Sequence, residues 1–161
     1  EELDRVLGGR APTADDYRAL PYTRAFIEET LRRWPPAFTF LRTCVAEAEL
    51  GGYRIEPGTD VSLVPYATHR DARHYPDPER FDPARFLGEA RDARDRYAWL
   101  PFGGGPRVCV GNAFALMETT FVLATIAARY RLTLPKGVEV VPVPGVTLRP
   151  SGPLRMRAHA R

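Results

Sequence analysis

The chain has 161 residues, a formal net charge of +3 and an apolar share of 44%. That length can build one core, and no run of about 18 apolar residues marks a membrane helix. Nearly all the positive charge is arginine, with Lys136 the only lysine. It is scattered among carboxylates and forms no basic stripe of the kind a nucleic-acid surface needs.

The chain opens on Glu1-Glu2-Leu3-Asp4, with no Met and no signal peptide, which points to a start inside a longer polypeptide. Residues 1–7 read as the end of a helix stopped by Gly8-Gly9. Pro12 to Asp16 reads as a loop leading into a short turn. Pro21 then opens a strong helix to about Trp34, with Ile27, Leu31 and Trp34 on one stripe. Pro35-Pro36 ends it, because the pair cannot extend the hydrogen-bond ladder.

Strand patterns follow at Phe40 to Val45, at 47–50 and 53–55 around a Gly51-Gly52 hairpin turn, and at Val61 to Val64. Residues 70–100 are rich in Pro, Asp and Arg without periodicity, and read as a long ordered loop. A helix is expected from about Asn112 to Tyr130, then short strands near 132–134, 138–143 and 154–158. The fold class is therefore mixed, mainly α with small β-sheets, and residues 1–161 read as one domain.

Cys44 and Cys109 are too few for a secreted disulfide framework. Counting leaves a bridge between them open; reduced thiols in a cytoplasmic chain are the expectation. The arginine bias points to a GC-rich bacterial gene.

The chemistry concentrates in Phe102-Gly103-Gly104-Gly105-Pro106-Arg107-Val108-Cys109-Val110-Gly111. Here a thiol ends a glycine-rich loop and faces the start of a helix, where backbone N–H groups and the helix dipole favour a thiolate. Gly103, Gly104 and Gly105 let the backbone pass under a flat ligand, and Gly111 turns the chain into the helix. Phe102 is placed to cover the sulfur, and N–H groups after Cys109 to donate to it. The alternatives are an inert buried cysteine and a phosphate-cradling loop. The second fails because no Gly-Lys-Ser/Thr follows.

Glu29 and Arg32 share a helix face at a spacing of three. Alone, the pair reads as a solvated surface contact. Arg91, Arg94 and Arg96 alternate with Asp92 and Asp95 just before the cysteine loop. They read either as a mixed-sign solvated segment or as a docking strip for an acidic protein.

The spacing Phe-Gly-x-Gly-x-Arg-x-Cys-x-Gly, together with Glu-Thr-Leu-Arg before Trp-Pro-Pro, resembles the cytochrome P450 family along the whole chain. The resemblance implies the C-terminal part of that fold and a haem b cofactor, with Cys109 as axial thiolate to the iron. It implies a monooxygenase, fed by a ferredoxin or a flavoprotein reductase, acting on a small apolar substrate; a haem-binding fragment without catalysis is the alternative. Arg107 and Arg42 become candidate propionate partners, with Phe102, Gly103, Gly105 and Gly111 around the cofactor. Ala37, Phe38, Thr39 and Phe40 would pass beside the haem edge and line the substrate pocket, with plain core packing the alternative, and His69 is expected to be structural.

The resemblance also implies that Glu29 and Arg32 are buried and locked by a second arginine. Arg80 and Arg85 are both candidates; segment order favours Arg85. The family's oxygen-activating helix, with its acidic-threonine motif, has no counterpart here, so a fragment or an incomplete gene model is expected. Any membrane anchor would be N-terminal.

Overall fold

A computed structural model describes residues 1–161. Helix α1 (Glu2–Leu7) stops at Gly8, which adopts a φ of 54° and returns its N–H to Asp4 O. A 3-10 turn at Ala14–Ala19 follows, anchored by Asp16. That carboxylate accepts both Arg10 Nη atoms and the Thr13 N–H, which together hold it far below the usual carboxylate range.

Helix α2 (Pro21–Arg33) begins with proline at its first position, where no N–H is needed. Its next two N–H groups, of Tyr22 and Thr23, donate to the Glu2 carboxylate at 2.7 and 2.9 Å. An anion at a helix start is favoured by both hydrogen bonding and the dipole. The Glu2 bonds thereby fasten α1 to α2.

Eight short strands form four separate antiparallel pairs. β1 (Phe40–Thr43) pairs with β4 (Asp60–Leu63), and β2 (Ala48–Leu50) with β3 (Tyr53–Ile55) across Gly51-Gly52. Helix α3 (Pro65–Thr68) comes next. The segment expected to be one long loop contains a 3-10 turn at Pro83–Phe86 and helix α4 (Gly88–Asp92).

Helix α5 (Asn112–Arg129) runs eighteen residues. After it, β5 (Tyr130–Thr133) pairs with β8 (Arg157–Ala160), and β6 (Pro142–Val143) with β7 (Arg149–Pro150). The strand expected over 138–143 is thus only its last two residues. Pro142 and Pro150 face each other in that ladder, and neither can donate to it.

Eighteen residues are buried, and the apolar ones form two clusters rather than one core. Ala25, Tyr75, Phe86 and Ala98 pack α2 against the 70–100 segment. Leu7, Leu20 and Ala124 pack α1 against α5. On α5, Phe121 meets Tyr17 edge to face, while Phe114, Val122 and Ile126 stay exposed. Both cysteines are free. No helix is long and apolar enough to cross a membrane.

Candidate functional site

Glu29 and Arg32 lie fully inside the protein, with no exposed side-chain surface. Arg32 Nε and Nη2 donate to the two Glu29 oxygens at 2.6 and 2.9 Å. The remaining nitrogen, Nη1, donates to His69 O at 2.7 Å, and Nη2 also reaches Arg80 O at 3.2 Å. Glu29 Oε1 further accepts the Asp82 N–H at 2.7 Å, with Arg85 Nε 3.8 Å away. The carboxylate thus accepts three hydrogen bonds, two of them from Arg32, with the Arg85 charge close by, which is the compensation a buried charge requires.

Arg85 also donates to Asp77 O through Nη2. Arg80 meets this cluster only through its backbone carbonyl, and its side chain points outward. The cluster joins α2 to residues 69, 77 and 80–85 across the middle of the sequence.

His69 is fully buried beside it. The Leu100 N–H donates to His69 Nε2 at 2.8 Å, which makes Nε2 the acceptor and leaves the proton on Nδ1. Nδ1 then donates to Arg32 O at 3.1 Å. Burial, aided by the nearby Arg32 charge, pushes the imidazole pKa down to about 4, so the ring is neutral near pH 7. One ring thus ties the end of α2 to the root of the cysteine loop.

Glu28 forms a second clamp that sequence reasoning missed. Arg91 Nη1 and Nη2 donate to its oxygens at 2.8 and 2.9 Å, and Trp99 Nε1 donates to its carbonyl at 3.2 Å. Neighbouring helical residues point about 100° apart, so Glu28 and Glu29 reach different partners. Tyr75 completes the support, its hydroxyl donating to Ala98 O at 3.0 Å; burial raises its phenol to about 12.

The loop from Leu100 to Gly111 closes on its own backbone. The Gly103 N–H donates to Leu100 O, Val108 to Gly105 O, and Cys109 to Phe102 O at 2.9 Å. Gly103 and Gly105 hold φ values of 73° and 67°, where an L side chain is strained. Strand β1 abuts the loop: a Cβ on Gly103 would sit 3.9 Å from the Phe40 ring tip. The Phe102 ring packs edge-on against Trp99 and lends Cys109 its carbonyl. No hydrogen bond ends on Cys109 Sγ, and the residue is exposed at the start of α5.

Val108 and Val110, beside Cys109 in the chain, and Phe114 in the first turn of α5 are all exposed. Arg107 is exposed on the same loop and pairs with no carboxylate. Arg42 on β1 is exposed too; its guanidinium stacks 5.2 Å over Phe40 and donates to Leu41 O. Phe38 and Thr39 are partly buried where the chain enters β1.

With this arrangement in view, the comparison with known families is decisive. Residues 1–156 match the model of the family described as cytochrome P450. The chain belongs to the cytochrome P450 family.

Among its relatives, cyclooctatin synthase of Streptomyces melanosporofaciens is 46% identical over 160 residues, covering 99% of this chain and 35% of the relative. Cyclooctat-9-en-7-ol 5-monooxygenase of the same organism is 45% identical, over 91% of this chain and 30% of the relative. Human cytochrome P450 4V2 is 38% identical, over 99% and 31%. The cytochrome P450 chain described here spans about a third of the length of these curated relatives.

In the 91–96 segment the structure gives two of the three arginines internal partners. Arg91 is committed to Glu28, and Arg94 is turned inward over the Phe86 and Trp99 rings. Arg91 stays part-exposed while holding Glu28, and Arg96 is exposed beside Tyr97 on this cytochrome P450.

Proposed function

We propose that this chain is the thiolate-bearing part of a haem-dependent monooxygenase. The observation that carries the reading is the exposed Cys109 sulfur, free of hydrogen bonds, on a self-closed loop at the start of α5. No three His, Cys, Asp or Glu side chains converge to hold an ion. A metal held at Cys109 would bring its remaining donors with it, as the haem implied by the family does. Haem b fits the residues present: a thiol for the iron, exposed Val108, Val110 and Phe114 for the ring, and unpaired Arg107 for a propionate. Arg42 on β1 is the second propionate candidate.

When bound, haem supplies dioxygen activation and delivery of one oxygen atom to an organic substrate, using two electrons from a ferredoxin or flavoprotein reductase. The residues of the chain do the holding. The Cys109 N–H bond to Phe102 O fixes the direction of the Cα–Cβ bond. His69 and the Glu29 cluster keep the loop root against α2. Phe38 and Phe40 give the entry to β1 an apolar character suited to an apolar substrate. A relative is named for monooxygenation of cyclooctat-9-en-7-ol, which agrees with a substrate of that kind.

The test is the carbonyl spectrum of the reduced, hemin-loaded chain beside Cys109→His. The native chain is expected to show a Soret band moved strongly to the red, and the histidine variant is not. An unshifted native spectrum sinks the reading. The second reading is haem binding by this chain without turnover of its own. Product formation from any apolar substrate by this chain alone excludes it.

A further inference from the structure

Arg94 carries a charge that the protein does not neutralise. Its guanidinium carbon lies 4.4 Å from the Phe86 ring centre and 5.6 Å from that of Trp99. It takes part in no hydrogen bond and no ion pair, and its Nη1 is buried without a partner. Burial lowers its pKa. Glu28 is already held by both Arg91 nitrogens. A half-buried cation without a partner is costly unless something anionic completes it.

The same arginine lines a cleft of about 400 Å³. Arg73, Arg85 and His74 line it as well, and Asp95 is the one carboxylate on its wall. Asp95 is occupied, accepting the Tyr97 N–H at 2.7 Å. Arg85 also has a buried nitrogen, Nε, with no hydrogen bond, and sits at the edge of the Glu29 cluster rather than inside it. Arg73 stands at the rim, 85% exposed and paired only with Asp71. The remaining wall is short and apolar: Pro76, Ala90, Ala93 and Ala98.

We propose that this cleft binds a small phosphomonoester. Its phosphate lies among Arg94, Arg85 and Arg73, and its organic body lies on the alanine and proline wall. Guanidiniums suit phosphate because their planar N–H forks match its oxygens in pairs. The volume exceeds what a bare phosphate fills and falls in the range of small-ligand sites. The cleft shares Arg85, Tyr75 and Ala98 with the frame behind Cys109, but no residue with the 100–111 loop itself. The inference therefore stands apart from the haem reading.

The probes are inorganic phosphate and phenyl phosphate, titrated into this chain by calorimetry at constant ionic strength. Saturable binding of phenyl phosphate is expected, roughly tenfold tighter than inorganic phosphate. Arg94→Gln is expected to weaken it by about tenfold or more, and Arg73→Gln by about threefold. Arg73→Gln keeps the test usable should Arg94→Gln fail to fold, since Arg73 is a rim residue. Arg149→Gln, on β7 away from the cleft, should bind as the native chain does. Absence of saturable binding, or equal affinity in the native chain and Arg73→Gln, overturns the site. Equal affinity for the two probes overturns the assignment to esters.

Discussion

His69 and Leu100 are joined by a 2.8 Å bond from the Leu100 N–H to Nε2, nine residues before Cys109. Both sides of the ring are used, because Nδ1 donates to Arg32 O. A substitution that removes the ring leaves a backbone donor and a backbone acceptor unpaired in the interior. Each such orphan costs about 1–3 kcal/mol. His69→Leu is therefore expected to lower unfolding stability by about 2–4 kcal/mol in urea titration. A loss below about 1 kcal/mol would show that the ring is not what holds the loop root.

The same histidine gives a pH dependence with a defined sign. Its folded pKa is near 4, below the ordinary 6.5. The unfolded state then binds the extra proton first as pH falls. Stability contributed by the neutral ring is complete above pH 6.5 and is lost as pH falls from there through about 4. The gap corresponds to roughly 3 kcal/mol. Melting temperature measured from pH 7 to 4 should fall more steeply in the native chain than in His69→Gln. Parallel curves would contradict the assignment. Asp71, held near 2 by Arg73, adds its own loss only at lower pH.

Glu28 is 96% buried at its side chain and depends on Arg91 from α4, which is 38% exposed. Removing the arginine alone leaves a buried carboxylate without its partner. Arg91→Ala is expected to destabilise by about 1–3 kcal/mol, with partial relief from water at the exposed end. Glu28→Gln combined with Arg91→Ala should recover part of that loss, because no buried charge is then stranded. A double-mutant cycle checks it. Additive effects would mean the two side chains do not depend on each other.

What could be read without coordinates follows from the range of each signal. Helix α2 announces itself through Pro21, its apolar stripe and Pro35-Pro36, all within one stretch of sixteen residues. The β2–β3 hairpin is equally local: Gly51 and Gly52 hold φ values of 58° and 83°, as their sequence pair suggests. The 70–100 segment resists such reading because its order comes from distant partners. Asp82 N–H goes to Glu29, Tyr75 to Ala98 O and Arg91 to Glu28. None of these leaves a periodic trace, so α4 and the Glu28 clamp were hidden. Arg94 was misread for the same reason. A charge in an Asp/Arg run looks solvated until the two aromatic rings that cover it are placed.

The cysteine itself separates folding from chemistry. Its N–H bond to Phe102 O belongs to the backbone, and its sulfur is exposed without a hydrogen bond. Nothing in the packing of the chain depends on the side chain. Cys109→Ser should therefore unfold within about 0.5 kcal/mol of the native chain when hemin is absent. Added hemin should raise the melting temperature of the native chain by linkage. In Cys109→Ser it should do so less and without the red-shifted carbonyl band. Gly103→Ala should behave in the opposite way. An alanine at φ 73° strains the loop, so a loss of about 1–2 kcal/mol is expected before any hemin is present. If Cys109→Ser instead melts like Gly103→Ala, the sulfur is part of the packing, and its free position for a metal is lost.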